Sequence, residues 1–384
     1  MEAYLDNSAT TRCYEEVKDI VVKTMMEDYG NPSAMHQKGV EAERYLKDSA
    51  QTLAKLMKVQ AGEIYFTSGG TESNNWALMG TALANRRQGK HIITTAIEHP
   101  AVAAPVTFLE EQGYKVTRIG VDSQGRIDLQ ELEDAVNDET ILVSVMYVNN
   151  EIGSVQDIAA IGERIKKKNP KTYLHVDATQ AFGKYRILPK KMGVDLLSIS
   201  GHKFHGPKGI GVLYIGEKVK MHPVILGGGQ QNNMRSGTDN VPGVAGIGKA
   251  AEIIYRNLES NQTHMYDLKR HLTEGLKKLP DVVVHGMPIE EGAPHIINAS
   301  FVGVRSEVLL HTLEERQIYV SAGSACSSHK RAGSSTLTAI GCSNAELESA
   351  LRFSFCEMTT MEELDYTLEV LGEVLPMLRR YTRR

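Results

Sequence analysis

Residues 173–203 read YLHVDATQAFGKYRILPKKMGVDLLSISGHK. Two short apolar runs, Tyr173–Val176 and Leu196–Ser200, each deliver a polar group at their end. Short, continuous runs rich in Ile, Val and Leu read as strands covered on both faces. The first run ends on Asp177, and a carboxylate where a buried strand meets a crevice is unfavourable unless paired. It suits a cationic ring nitrogen in a partly dry site, with a helix cap as the competing reading. The second run ends on Ser200-Gly201-His202-Lys203. A lysine at the end of a buried strand can lose its charge to desolvation and act as a nucleophilic amine. Taken singly, an outward-snorkelling surface lysine is the commoner case.

Upstream and downstream the same rhythm continues. Ile64–Thr67, His91–Ala96, Lys115–Ile119, Thr140–Val148 and Gly209–Ile215 complete a set of strand-like runs over about residues 60–215. Helix signals lie between several of them. Asp128 with Glu131 resembles a capping box opening Leu129–Val136, and Asp157 can cap a helix running to Lys168. Alternating strand and helix predicts an α/β fold whose large, mostly parallel sheet carries helices on both faces. Chemistry in such sheets lies beyond the carboxyl ends of the strands. After Gly228 the pattern changes. A helical stretch over about Val241–Leu279 leads to a smaller α+β unit, with strand Ile296–Val302, helix Ser306–Gln317, strand Ile318–Ser321 and strand Arg352–Phe355. A last helix aligns Leu364, Leu368, Leu371, Leu375 and Leu378 on one face, which reads as core packing. The expected division is a large domain over 15–255, and a small one joining 1–14 to 256–384.

The whole chain has 384 residues, long enough for two or three domains. At 41% hydrophobic and 23% charged it can bury enough apolar surface to order itself. With 43 Lys+Arg against 47 Asp+Glu, the formal charge of -4 argues against a nucleic-acid binder. No apolar run approaches the roughly 20 residues that span a bilayer, and Glu2 and Asp6 stand where a signal peptide would be basic and apolar. The cysteines, Cys13, Cys326, Cys342 and Cys356, form neither a disulfide scaffold nor a CxxC pair. A reducing, cytoplasmic setting is the expectation.

Further residues carry chemistry. In Thr67–Ser73, TSGGTES, glycines permit a sharp strand-to-helix turn whose Gly70 and Thr71 amides can face an anion. A plain turn is an equal rival, and a P-loop or dinucleotide fingerprint is absent. With Asp177 and Lys203, this phosphate cradle meets the needs of pyridoxal 5'-phosphate. His99 precedes a helix begun by Pro100, and could cover a cofactor ring and move protons near neutral pH. Cys326 sits in the small, polar stretch SAGSACSSHKRAGSS, where His329, Lys330 and Arg331 can favour the thiolate. Arg352 alternates with Leu351 and Phe353, so its fork can clamp a carboxylate or form an inter-domain ion pair.

Together these motifs resemble the pyridoxal-phosphate-dependent cysteine desulfurases of the NifS/IscS type. The resemblance spans nearly the whole chain: YLDNSATT, GNPSAMH, FTSGGTES, EHPAV, VNNEIG, HVDATQ, SGHKFHGPKGIG, GGGQQNNMRSGT, SAGSACSS and LRFSF, in that order. It implies a fold-type I transferase with a seven-stranded sheet, acting as a homodimer on L-cysteine and passing sulfur to an acceptor such as an iron–sulfur scaffold. By motif, Lys203 would carry the cofactor aldehyde and Asp177 would pair with its ring nitrogen. Gln180 would bind the ring oxygen and His99 would stack on the ring and assist proton transfer. Gly70, Thr71, Ser200 and His202 would hold the phosphate, with Thr238 reaching in from the other subunit. Asn150 and Arg352 would bind the substrate carboxylate, and Cys326 would carry the persulfide. FSFCEM departs from the family, many of whose members have glycine where Cys356 stands. The chain ends at Arg384, before the tail by which some relatives contact a scaffold. An aminotransferase or a selenocysteine lyase of the same fold is the alternative. A non-catalytic sulfur carrier built on Cys326 would have no need of Lys203 or Asp177.

Overall fold

The computed structural model describes residues 1–322 and 333–382. Its largest sheet has seven strands. In spatial order they are Ile64–Thr67, Gly211–Ile215, Leu196–Ser200, Tyr173–Asp177, Thr140–Met146, His91–Thr95 and Lys115–Ile119. The last five run parallel to one another. Gly211–Ile215 alone is reversed, pairing antiparallel with both neighbours. The cause is length: a parallel crossover needs about a dozen residues or more, and the link from Ser200 to Gly211 is shorter. Four of these strands, at 91–95, 140–146, 196–200 and 211–215, are buried at every position. Coverage on both faces fails at the edge, where Lys115–Ile119 buries only Ile119.

Asp128 caps its helix through the amides of Gln130 and Glu131, and Asp157 through that of Ala160. The helical stretch expected over Val241–Leu279 is two helices, Val241–Arg256 and Leu258–Leu276, broken at Asn257. The break lets Ile254 and Leu258 pack in the core around the large sheet, while Met265, Leu268, Leu272 and Leu276 turn away from it. Leu268, Leu272 and Leu276 join a second core with Leu5, Phe301, Phe353 and the final helix. We propose these two cores as the large and small domains, divided near residues 14 and 256.

The second core lies on a four-stranded antiparallel sheet in the order Ser321–Ala322, Ala350–Ser354, Ile296–Phe301, Val282–His285. The run Ile318–Ser321 is split. Ile318–Tyr319 pairs with Ala3–Tyr4, whereas Ser321–Ala322 pairs with Ala350–Ser354. Val282–His285 escaped the sequence pattern because it is a half-exposed edge with no fully buried residue. In the last helix Leu364, Leu371 and Leu375 are buried, and Leu368 and Leu378 pack at the margin. No helix among the described residues is long and apolar enough to cross a membrane.

Candidate active site

Because the parallel strands share one direction, their carboxyl ends bring Thr67–Thr71, Glu98–His99, Asn149–Asn150, Asp177–Gln180 and Ser200–Lys203 to one edge of the sheet. A cavity of about 460 Å³ opens there, lined by Ala9, Gly69, Gly70, Thr71, Ser200 and His202 among others.

The anion turn starts at Gly69, whose φ of 154° and ψ of -177° suit glycine almost alone. No side chain caps the helix Gly70–Asn85, so its first amides face the cavity with the positive end of the helix dipole. A methyl group on Gly70 would meet Thr179 Oγ1 at 3.0 Å and Ser200 Cβ at 3.4 Å, so the cradle depends on that missing side chain. Thr179 Oγ1 is buried there without a hydrogen-bond partner. Glu72 also lines the cavity. Burial would raise its carboxyl, but Arg235 at 2.9 and 3.1 Å and the Ser68 amide hold it below the ordinary value. The pairing cancels a negative charge that would repel an anion.

Asp177 is 4% exposed. One carboxylate oxygen accepts from Asn74 Nδ2 at 2.7 Å, the other from the Thr179 amide at 3.0 Å. The next residue inward on its face, His175, is held between Ser144 Oγ at 2.8 Å and Ser198 Oγ at 2.9 Å. Burial presses its pKa down to about 4 against the pull of Asp177, so the ring is neutral.

Lys203 lies on the 3-10 turn Gly201–Lys203. Its Nζ donates to the carbonyls of Ser8 at 2.6 Å and Ala9 at 2.8 Å. Gln180 Nε2 donates to the same Ser8 carbonyl at 2.8 Å, which joins the two side chains through the amino-terminal segment. His99 Nδ1 accepts from the Ala101 amide at 3.0 Å and caps the helix Pro100–Glu111, so a neutral ring carries its proton on Nε2. Burial lowers its pKa, opposed by Asp177 and aided by Lys203. His202 meets Thr10 Oγ1 at 3.2 Å, and burial, with Lys203 and Lys208, takes its pKa down to about 4.

Arg352 donates to the Asn150 carbonyl at 2.9 Å and pairs with Asp6 at 2.8 Å, while its Nε is buried without a partner. The ion pair lies within the proposed small domain and not between domains, since Asp6 and Arg352 both belong to it, and the Nε donor is unused. Thr238 is exposed. Cys326 lies outside the described residues.

Sequence reasoning missed Asn74, Thr179, the Ser8 carbonyl and Glu98. Asn74 had a signal: it is a polar residue between Ser73 and Trp76 in a helix that is buried over much of its surface. Glu98 is buried. Its Oε1 accepts from Thr95 Oγ1 at 2.6 Å and the Met146 amide at 2.9 Å, and its Oε2 has no partner. Burial, reinforced by Asp177, raises its pKa to about 8.

The residues present fit pyridoxal phosphate: an uncapped helix start and a lone buried hydroxyl for the phosphate, a paired buried carboxylate for the ring nitrogen, and an amine held nearby. The comparisons with known proteins agree with that chemistry. The sequence signature described as Aminotransferase class-V matches residues 3–367. A protein of Methanosarcina thermophila named Cysteine desulfurase IscS is 44% identical, over 98% of this chain and 92% of its own. A solved structure titled NIFS-LIKE PROTEIN superposes with a TM-score of 0.93 at 39% identity, covering 98% of this chain and 100% of that one. Another, titled SspA in complex with cysteine, has a TM-score of 0.82 at 31% identity, covering 93% of this chain and 100% of that one. The chain belongs to the class-V aminotransferase family and, within it, to the cysteine desulfurases of the IscS/NifS type.

Proposed function

We propose that this chain uses pyridoxal 5'-phosphate to remove sulfur from L-cysteine, leaving L-alanine and a persulfide on Cys326 for an acceptor such as an iron–sulfur scaffold. The observation that carries this reading is the meeting of Lys203, Asp177 and the Gly69–Thr71 turn at one edge of one sheet.

Lys203, Asp177, Gln180 and His99 would hold the ring, and Gly70, Thr71, Thr179, Ser200 and His202 the phosphate, with Thr238 from a second subunit. Bound in this way, the cofactor supplies an electron sink for the pair left at the substrate Cα. Asp177, positioned by Asn74, would hold a proton on the ring nitrogen. Lys203 Nζ takes the α-proton. His99, neutral and protonated on Nε2, covers the ring and moves a proton at that atom. Arg352 and Asn150 orient the substrate carboxylate, which competes with Asp6 for the guanidinium. Cys326 Sγ, as thiolate, forms a bond to the substrate sulfur while the bond from sulfur to Cβ breaks, and Cβ takes up a proton.

Intact-mass analysis after incubation with L-cysteine is expected to show one added sulfur, mapping to Cys326, with alanine released. Cys326→Ala should keep the visible cofactor band but form no persulfide, and Lys203→Ala should abolish turnover. Persulfide on another cysteine, or full alanine turnover by Cys326→Ala, would overturn the carrier role. An amino-group transfer to an oxo acid without sulfur release would favour the aminotransferase reading.

A further inference from the structure

Behind the lysine turn lies a cluster that the desulfurase chemistry leaves unused. His205, Cys356 and Glu357 each present one ligand atom, all within 4.8 Å of one another. His205 is wholly buried, Cys356 is 5% exposed and the Glu357 side chain 12%. They come from both ends of the fold: His205 follows Lys203, and Cys356-Glu357 follow the strand Ala350–Ser354.

The ring of His205 is set as a metal-binding imidazole is. Its Nδ1 lies 2.7 Å from the Arg12 carbonyl, which places a proton on Nδ1 and leaves Nε2 as the ligand atom. Tyr14 stacks on the ring at 4.5 Å between centroids, and Thr11 Oγ1 accepts from the His205 amide at 2.7 Å. These contacts hold His205 at a φ of 66°, a left-handed backbone found in few non-glycine residues. Nε2 is buried and has no hydrogen-bond partner, although Glu357 Oε1 lies 3.2 Å away, within ion-pair distance but off line for a hydrogen bond. Tyr14 donates its hydroxyl to Glu357 Oε1, and Glu357 Oε2 is likewise buried without a partner. Nε2 and Oε2 thus both lack a hydrogen-bond partner beside a thiol, and Nε2 is in ion-pair distance of Oε1. In tetrahedral zinc sites with bonds of about 2.0–2.1 Å to nitrogen and oxygen, those two ligand atoms stand about 3.3 Å apart. A nearby cation, Lys184, is turned away to the Lys203 carbonyl at 3.0 Å.

We propose that His205 Nε2, Cys356 Sγ and a Glu357 oxygen form a three-ligand site for a divalent, borderline-soft cation of the zinc class, with water in the fourth position. The ion clips the turn after Lys203 to the strand end of the small core. Uptake releases the thiol proton and any proton on Nε2, and no electron moves. The inference does not rest on the reaction proposed above, because the measurements below read binding and not turnover.

The test uses holoenzyme carrying Cys326→Ser, so that the Cys326 thiol cannot supply sulfur. After chelation and desalting, equilibrium dialysis against micromolar zinc should return one ion per subunit. Titration with cobalt(II) should give a thiolate-to-metal charge-transfer band and tetrahedral bands at the red end of the visible range. Adding Cys356→Ser should remove the charge-transfer band, and Glu357→Gln should weaken binding on the order of 10–100-fold or more. Dialysis needs no cluster variant, so failure of one variant to fold leaves the proposal exposed. Substoichiometric zinc would overturn it in favour of a metal-free imidazolium–carboxylate pair, as would a charge-transfer band that survives Cys356→Ser.

Discussion

Asp177 lies in a nearly dry place with two donors, Asn74 Nδ2 and the Thr179 amide, on its two oxygens. A hydrogen bond to a charged group is worth about 1.5–3 kcal/mol, enough to fix the orientation of the side chain. Glu98, one residue before His99, is a second buried carboxyl. Burial, reinforced by Asp177, outweighs the two donors that converge on one of its oxygens and raises its pKa to about 8. The sign of the linkage follows. Between the ordinary value of 4.5 and about 8, the folded chain keeps a proton that the unfolded chain gives up. Stability therefore falls as pH rises through that window. Gln at this position keeps an acceptor for Thr95 and Met146 and has no charge to bury. Glu98→Gln is thus expected to flatten the dependence of the urea midpoint on pH between about 5 and 8, and to exceed the parent above pH 8 by more than about 1 kcal/mol. Parallel profiles for the two proteins would show that Glu98 is not the titrating group.

At the scale of elements, the helix Gly70–Asn85 carries two duties that pull on the same residue. Its first position would gain about 1 kcal/mol of helix propensity from alanine in place of glycine. The cradle forbids it, because the added methyl would press on Thr179 Oγ1 at 3.0 Å in the space proposed for a phosphate. Gly70→Ala is therefore expected to weaken cofactor binding at least about tenfold, or about 1.4 kcal/mol, while apoprotein unfolding is unchanged or slightly later. Spectroscopic titration of apoprotein with pyridoxal phosphate, beside a urea curve, checks both halves. Loss of stability with unaltered affinity would make the glycine a packing residue only. The helices around Asn257 teach a related lesson: neither proline nor glycine marks the break, and packing against two cores produces it.

Across the whole molecule, the amino-terminal segment is the strap between the two cores. Ala3 and Leu5 are buried in the small core, while Ser8 and Ala9 hold Lys203 through their carbonyls. Exposed Thr71 and Lys208 line the cavity, and the exposed Thr238 belongs, on the proposed reading, to the neighbouring subunit's site. Mixing subunits tests this. Lys203→Ala and Thr238→Glu chains, each inactive alone, should regain desulfurase activity when unfolded and refolded together, because one hybrid site then holds both native residues. No recovery, in mixtures shown by mass spectrometry to contain the hybrid dimer, would place Thr238 in its own subunit's site and overturn the shared-site reading.

How far the sequence alone reached differs between these scales. The strands at 64–67, 115–119 and 196–200 have the bounds that their apolar runs suggest, and the switch to a smaller α+β unit follows the change of pattern after Gly228. Burial on both faces writes itself into a strand as continuous hydrophobicity, so the inner strands of the large sheet were legible to within one or two residues at their ends. So were Asp177, Lys203 and the glycine turn, since a polar group ending an apolar run stands out locally. The contacts of those groups were not legible. Asn74 lies far from Asp177 in the chain, the Ser8 carbonyl carries no side-chain signature, and the short strand Ala3–Tyr4 exists because Ile318–Tyr319 lies beside it. The same holds for His205 with Cys356 and Glu357. Local composition determines which segments are buried, but pairings between distant residues depend on how the elements pack, and only the tertiary structure decides those.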